Sequence, residues 1–363
     1  MFRPSTFLPG LRGRTTAALL VLATAATFGL TGCAKDDTPV VGTANTPLAT
    51  EVPAGTKLVV ADQQERLQSV LRASGELDKL PFQVEFANFV GGPAILEAFR
   101  AGAADVAPVG DVPPIHALAA GQDVPIVGAQ QTSPTALKLA VAPGRTVTAL
   151  ADLKGKKIAY AEGTAQQAAV LRALDKAGLK TGDVQLVRLQ LAEFLDAVRT
   201  GQVDIAPLIE PNVTRLLRTP GTSLIPDSQT AGIYGGLAYL YARRAVTQDP
   251  AKSAAVGALV GAYIRAYQWV NTHREEWAQK YYVENQKVSP DDARRIVESL
   301  GTYTFPHLDQ QLVDRQQSTI DAIAAAGELP KKVSAANGFD LRYDAVVTRA
   351  VTESGASHEP KER

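Results

Sequence analysis

The sequence predicts an α/β protein with two similar lobes, each a mainly parallel sheet flanked by helices. An internal repeat carries this prediction. Residues 96–111, LEAFRAGAADVAPVGD, match residues 195–210, LDAVRTGQVDIAPLIE, and residues 56–75 match residues 156–175 at nearly the same offset. A period of about 100 residues is too long for a solenoid and indicates two lobes of one design.

Each copy alternates short apolar strands with helices of amphipathic spacing, a pattern typical of parallel sheets with right-handed crossovers. Arg-x-Gly ends the second helix of both copies, where glycine favours helix termination. The predicted elements of the first copy are strands 58–61, 82–87 and 104–109 and helices 63–74 and 93–101. Those of the second copy are strands 158–161, 184–189 and 203–208 and helices 165–177 and 192–200.

Residues 1–32 are typical of a signal peptide: arginines precede the apolar run TTAALLVLATAATFGL, which is too short and threonine-rich for a membrane span. The run ends in LTGC, which matches the bacterial lipobox, and Cys33 is the one cysteine of the chain. We therefore predict lipidation at Cys33 and a protein anchored on the extracytoplasmic side of a bacterial cell membrane. The alternative is an ordinary signal peptide followed by an accidental cysteine.

The remaining chain divides into a tether, two lobes and a tail. Residues 33–56 are rich in Thr, Pro, Ala and Gly, which indicates a flexible tether. Pro143-Gly144 and Gly235-Gly236 are the predicted hinges, and the helical pattern after Pro250 is predicted to buttress the first lobe. The predicted boundaries are lobe 1 at 57–140 plus 238–350, lobe 2 at 141–237 and a polar tail at 351–363.

Composition excludes several classes of function. The net charge of zero gives no basic field for nucleic acid. The 4 histidines show no metal-ligand spacing, and neither Gly-x-Ser-x-Gly nor a Walker loop occurs. We expect no catalytic residues, no metal, no cofactor and no enzyme activity; His116 is expected to be packed in an apolar helix.

The segments GGPAILEAFRAGAADVAPVGDVPPIHALAAGQDVPIVG, ADLKGKKIAYAEGTAQQAAVLRALDKAGL and LPKKV resemble the aliphatic-sulfonate-binding proteins of bacterial ABC importers. These belong to a wider group that includes taurine, nitrate and thiamine-pyrimidine binders. The likeness spans roughly residues 57–335 and implies a type II periplasmic-binding-protein fold, in which a cleft between two lobes closes on a small solute. It further implies a monomer that serves a membrane permease with a cytoplasmic ATPase.

The resemblance places ligand-binding residues in the loops at the strand ends. Val109 stands where sulfonate binders tend to have a hydroxyl residue, Ile209 where they usually have Trp, and Glu162 in a loop that is often basic or neutral. These departures leave open whether the ligand is a sulfonate, a zwitterion, an amine or a heterocycle such as a pyrimidine. The implied residues are Asp62, Gln63, Gln64, Val90, Gly91, Gly92, Gly110, Asp111, Gly163, Thr164, Ala165, Gln166, Glu210 and Asn212.

Helix N-termini at Gly92, Asp111 and Thr164, with the Gln-Gln pairs at 63–64, 130–131 and 166–167, could hold a sulfonate without any Lys or Arg. The acids leave alternatives open. Asp111 could contact the ligand or cap its helix. Glu210 could bind a ligand ammonium or pair with a surface arginine, and it is not expected to cap a helix because Pro211 follows it.

Overall fold

The structure is a computed structural model that describes residues 47–360. The predicted signal peptide, Cys33 and most of the predicted tether lie outside the described residues. The strands, numbered in chain order, are β1 (Lys57–Asp62), β2 (Gln83–Asn88), β3 (Val106–Gly110), β4 (Ile126–Gln131), β5 (Leu137–Val141), β6 (Lys157–Tyr160), β7 (Gln185–Arg188), β8 (Ile205–Ile209), β9 (Ser223–Leu224) and β10 (Leu237–Ala242).

Two sheets of the same design form the two lobes. In the first, β1 pairs in parallel with β2 and β3, and β10 lies antiparallel between β3 and β4. In the second, β6 pairs in parallel with β7 and β8, and β5 lies antiparallel between β8 and β9. The two-lobed α/β fold predicted from the repeat is therefore confirmed.

Helices cover the sheets. Asp249 and Thr164 accept hydrogen bonds from backbone amides in the first turns of the helices that begin at Pro250 and Ala165, which satisfies donors left unpaired at a helix start. The helices are α1 (Arg66–Ala73), α2 (Gly92–Arg100), α3 (Pro113–Ala119), α4 (Ala165–Lys176), α5 (Phe194–Arg199), α6 (Asn212–Leu217), α7 (Asp227–Thr230), α8 (Arg244–Gln248), α9 (Pro250–Thr272), α10 (Arg274–Trp277), α11 (Pro290–Ser299), α12 (Gln310–Ala325) and α13 (Asp344–Ser354).

The long helix α9 is the main support of the first lobe. It is buried along most of its length and contacts β1 and β4, α1 and α13. Helices α9 and α13 therefore pack on the first lobe, but α12 contacts α4 of the second lobe and Arg295 of α11 approaches Glu210 there, so the C-terminal helices do not support the first lobe alone. None of the helices among residues 47–360 has both the length and the apolar character needed to cross a membrane.

The crossovers between the lobes differ from the predicted positions. All of β5 pairs with β8, so the chain enters the second lobe before Leu137, earlier than the predicted boundary at residue 140. Pro143-Gly144 follows β5 and lies within the second lobe, where the Gly144 amide donates to the carbonyl of Gly221 at 3.3 Å. The apolar run 136–143 indicated a strand but not its partner, and the pairing with β8 moves the crossover to residues 132–136.

The return crossover ends at Gly236, directly before β10. The amide of Thr132 donates to the Gly236 carbonyl at 2.9 Å, so the two crossovers run side by side. Gly236 has φ +69°, and a Cβ there would lie 2.3 Å from the carbonyl oxygen of Thr132. Only glycine fits this approach in this backbone conformation.

The C-terminal segment is ordered further than the predicted tail boundary at residue 351. Helix α13 continues to Ser354, with Val351 buried in the core. The amide of Phe305 then donates to the carbonyl of Ser357 at 2.9 Å. The apolar side of α13 supplies this anchoring, although the sequence after Val351 is polar.

Candidate functional site

The carboxyl ends of the parallel strands of the two lobes meet at one cleft. A Cβ on Gly110, the last residue of β3, would lie 3.0 Å from the Cβ of Ala165 at the start of α4. A Cβ on Gly91 would lie 3.0 Å from Leu191 Cδ1 in the second lobe. Ligands of open α/β sheets bind at these strand ends, so the cleft is the candidate site.

Glycines set how closely the lobe edges approach. A Cβ on Gly92 would lie 2.2 Å from Cγ of Pro113 and 3.5 Å from the Gly163 carbonyl oxygen of the other lobe. The structure thus brings together Gly91, Gly92 and Gly110 of the first lobe with Gly163 and Ala165 of the second. They shape the cleft by having little or no side chain.

A hydrogen bond between side chains joins the lobes beside these glycines. Nε2 of His116 lies 2.9 Å from Oε1 of Gln167. The same oxygen accepts the Gly163 amide at 2.9 Å, and the Gln167 side-chain amide donates to the Tyr160 hydroxyl at 3.0 Å. Burial lowers the pKa of His116, although the Gln167 bond raises it in part. His116 is therefore a cross-lobe contact as well as a packed side chain.

Asp62, Gln63 and Gln64 build the first loop of the cleft through internal hydrogen bonds. The buried Asp62 carboxylate accepts the amides of Gln63 at 2.7 Å, Leu67 at 3.0 Å and Gln68 at 2.9 Å. Burial raises the pKa of Asp62, and these bonds oppose the shift. Gln63 donates to a backbone carbonyl of β3, and the Gln64 carbonyl accepts the Tyr281 hydroxyl. Asp62 is occupied in organising the start of α1.

Asp111 does not cap α3, whose N-cap is Val112. Its carboxylate is only 3% exposed, and Oδ2 accepts the Thr319 hydroxyl at 3.4 Å. Within residues 47–360 its Oδ1 has no hydrogen-bond partner. Burial raises the pKa of Asp111, while the charges of Arg172 and Arg315 lower it. Arg172 belongs to the second lobe and donates to the Thr319 hydroxyl at 2.6 Å, so Asp111 belongs to a cross-lobe polar cluster.

The second lobe contributes one cap and one glutamine to the cleft. The Thr164 hydroxyl accepts the Gln167 amide at 3.3 Å and donates to the Ala161 carbonyl at 2.6 Å. The side chain of Gln166 makes no hydrogen bond to any described residue. Gln166 therefore has amide groups available for a ligand, whereas Thr164 is committed to α4.

Glu210 caps α6 in spite of Pro211. Its Oε2 accepts the amide of Thr214 at 3.0 Å and the hydroxyl of Thr214 at 2.7 Å, and its Oε1 lies 3.6 Å from Arg295. The expectation that Pro211 prevents capping was wrong, because the carboxylate reaches an amide four residues later. Asn212 accepts a hydrogen bond from Arg215 on the same helix. Both side chains are held by their own lobe or by α11.

Two apolar side chains at strand ends remain exposed and can form cleft walls. Val90 is 62% exposed and follows β2, and Ile209 is 38% exposed at the end of β8. Glu162, next to β6, pairs with Arg188 at 2.6 Å, and both side chains are exposed. Glu162 is therefore a surface ion pair.

Arg66 is a cleft residue that sequence reasoning did not identify. It begins α1, and its guanidinium donates to the Tyr303 hydroxyl at 2.6 Å. Burial raises the pKa of Tyr234, in the return crossover; the charge of Asp111 also raises it, and the charge of Arg66 lowers it. The start of α1 shortly after β1 therefore brings an arginine to the carboxyl-end edge of the first sheet, where the sequence predicted binding groups other than Lys and Arg. The one sequence signal was a basic residue directly after the Asp62 loop.

No group of three His, Cys, Asp or Glu side chains within residues 47–360 is arranged to hold a metal ion.

Comparison with known proteins finds one matching family model and several relatives that are named as binding proteins. The NMT1/THI5-like family model matches residues 84–277. A putative aliphatic sulfonates-binding protein of Escherichia coli (strain K12) is 35% identical over 156 residues, which cover 42% of this chain and about half, 49%, of that protein. A putative aliphatic sulfonates-binding protein of Bacillus subtilis (strain 168) is 24% identical over 269 residues, which cover 73% of this chain and 79% of that protein.

Among solved structures, the alkanesulfonate-binding protein SsuA of Xanthomonas axonopodis pv. citri, bound to MOPS, superimposes with a TM-score of 0.72. It is 26% identical and covers 80% of this chain and 99% of its own. The predicted periplasmic-binding-protein fold is therefore confirmed.

Proposed function

This chain belongs to the NMT1/THI5-like family, and from that premise we propose that it is the extracytoplasmic solute-binding component of a bacterial ABC importer. It captures a small organosulfonate, an alkanesulfonate or a taurine-like compound, and delivers it to a membrane permease. Relatives named for aliphatic-sulfonate binding support this role. The proposed protein is a monomer without catalytic activity, cofactor or nucleic-acid partner.

The observation that carries the proposal is the closed contact between two strand-end surfaces. Gly110 meets Ala165 across the cleft, and His116 is bonded to Gln167. Such a contact suits a receptor that encloses a solute by hinge closure. The available amide of Gln166 and the apolar Val90 and Ile209 suit a ligand with a polar head and an apolar tail.

Lipidation at Cys33 belongs to the same proposal. The tether from residue 34 to about residue 56 would let the lobes reach a permease while the lipid keeps them at the membrane. A single lipid anchor limits diffusion to the membrane surface, which raises the effective concentration of receptor near the permease.

A second candidate is an amine, zwitterion, pyrimidine or other heterocycle as ligand, for a transport receptor, a sensor or an enzyme on this fold. One observation favours a ligand that donates hydrogen bonds. Oδ1 of the buried Asp111 lacks a partner within the described region, and a buried acceptor without a donor costs free energy. A ligand ammonium or ring N–H could supply the donor.

Calorimetric titration of the purified protein with propanesulfonate, taurine and a pyrimidine tests both candidates. We expect saturable binding of at least one sulfonate well below millimolar concentration. If taurine binds better, Asp111→Asn should weaken taurine but not propanesulfonate, because only taurine carries an ammonium. Failure of both sulfonates to bind at millimolar concentration would remove the sulfonate proposal, and binding of the pyrimidine alone would support the second candidate.

A further inference from the structure

Arg66 has an unusual set of contacts for a partly buried cation. An arginine side chain carries five N–H donors, and the one hydrogen bond of Arg66 to a described residue is to the neutral Tyr303 hydroxyl. Within residues 47–360, no carboxylate oxygen lies within 4.0 Å of its guanidinium. Asp62 acts on it electrostatically from further away, but that carboxylate already accepts three backbone amides.

The surroundings of Arg66 are phenol groups, which do not neutralise it. Burial raises the pKa of Tyr267, Tyr281 and Tyr282, and the charge of Arg66 only partly opposes that shift. These hydroxyls therefore stay protonated at neutral pH. Partial burial of a charge among neutral groups is costly unless an opposite charge compensates it.

The other arginines near the cleft have acidic neighbours. Arg172 and Arg315 act on the buried Asp111, Arg295 lies 3.6 Å from Glu210, and Arg188 pairs with Glu162. Arg66 differs from them in its position as well. It begins the helix that follows β1, so it stands at the carboxyl end of the first sheet, where the cleft lies.

We propose that Arg66, supported by the Tyr303 hydroxyl, is the residue that binds the anionic head group of the ligand in this cleft. The planar guanidinium matches two oxygens of a sulfonate-like oxyanion, and its free donors supply charge-assisted hydrogen bonds. The Tyr303 hydroxyl orients the guanidinium and can donate a further bond. The inference rests on the proposed function in placing the ligand in this cleft, but it concerns any oxyanion and not sulfonates alone.

Arg66→Gln is the decisive variant, and Arg72→Gln is its matched control. Arg72 lies on the same helix with an exposed side chain, so its replacement removes the same charge outside the cleft. Thermal-shift screening and calorimetry would use propanesulfonate, taurine, nitrate, sulfate and acetate as probes. We expect Arg66→Gln to weaken the best anion about 10- to 100-fold, the loss of a charge-assisted hydrogen bond, and Arg72→Gln to bind like wild type.

Arg66→Lys and Tyr303→Phe keep the test valid if Arg66→Gln does not fold. Lysine keeps the positive charge but lacks the paired planar donors of a guanidinium. Arg66→Lys should therefore bind the best anion more weakly than wild type does. Tyr303→Phe keeps the ring packing and should lower affinity several-fold, because the guanidinium loses its orienting partner.

The outcomes separate this inference from the proposed function. If a sulfonate binds and Arg66→Gln weakens it, both stand. If another oxyanion binds in its place and Arg66→Gln weakens that, the inference stands and the sulfonate proposal falls. If a sulfonate binds Arg66→Gln as tightly as wild type, the inference falls alone. If wild type binds none of the anions, both fall.

Discussion

Nε2 of His116 and Oε1 of Gln167 lie 2.9 Å apart, and this contact ties α3 of the first lobe to α4 of the second. Gln167 holds three groups at once, since its side chain also accepts the Gly163 amide and donates to Tyr160. The oxygen is therefore an acceptor, and the imidazole is the donor. Neutral and protonated imidazole can both donate from Nε2, so the bond survives either state and the cost of protonation is the burial of a charge.

The stability of the closed lobes should fall below about pH 6.5 through His116. Burial lowers its pKa below the ordinary value of 6.5, so the unfolded state binds more protons in this range. His116 contributes its full stability at pH values above its pKa in the unfolded state. This contribution is lost as the pH falls toward the lower pKa of His116 in the native state. Melting temperatures measured from about pH 5 to 8 should decline more steeply for wild type than for His116→Gln.

Parallel curves for wild type and His116→Gln would show that His116 is not the group responsible.

Gly110→Val should block closure without damaging either lobe. The Cβ alone would lie 3.0 Å from Ala165 Cβ, and the two methyl groups of valine cannot fit while the lobes touch. Valine is favourable in a strand, so the melting temperature should change little. Small-angle scattering should show compaction of wild type with a saturating ligand and none of Gly110→Val.

Gly182→Val is the control for Gly110→Val, because a Cβ at Gly182 meets no atom within 4 Å. It should compact like wild type. Normal compaction and affinity in Gly110→Val would mean that the contact between β3 and α4 does not belong to the ligand-bound state.

Glu210→Gln should lower the free energy of unfolding by about 1 kcal/mol, because the neutral amide oxygen can still accept from Thr214 but its hydrogen bonds lose their charge. The carboxylate holds the Thr214 amide and hydroxyl and approaches Arg295. Ligand affinity should change little, since these contacts occupy the side chain. Denaturant unfolding and calorimetry measure the two effects separately.

Glu162→Gln is the matched change, because Glu162 follows β6, the strand that pairs with β8 in the same sheet. Its exposed pair with Arg188 contributes little, so this variant should unfold like wild type. A Glu210→Gln protein of unchanged stability that loses taurine affinity would instead place Glu210 on the ligand.

Cys33→Ala should release the protein from the membrane. Without the thiol, no lipid can be attached, and a precursor or an unanchored protein accumulates. Fractionation with mass spectrometry of the N-terminus measures this, and Ser228→Ala, at an exposed position on α7, should fractionate normally. A Cys33→Ala protein that matures and fractionates like wild type would contradict the lipobox interpretation.

Local patterns in the sequence were enough to predict the two lobes. Apolar periodicity and the repeat depend on neighbours within one element, so strands such as 58–61 and 158–161 could be placed without knowing their partners. The loops that line the cleft were predicted at the ends of the same strands. Gly91, Gly92 and Gly110 were predicted at the cleft from the resemblance to sulfonate-binding proteins.

Tertiary structure decided which partners the side chains take. Strand 137–141 has an apolar pattern that suits either lobe, and only its pairing with β8 assigns it to the second. The sequence left open whether Asp111 contacts the ligand or caps its helix, and the structure places its carboxylate on Thr319, which Arg172 also contacts, and not on a helix N-terminus. Arg66 donates a hydrogen bond to Tyr303, which is distant in the sequence, and partial burial of the guanidinium makes this contact important. Hydrogen-bond partners and desolvation depend on three-dimensional distance, which no local pattern contains.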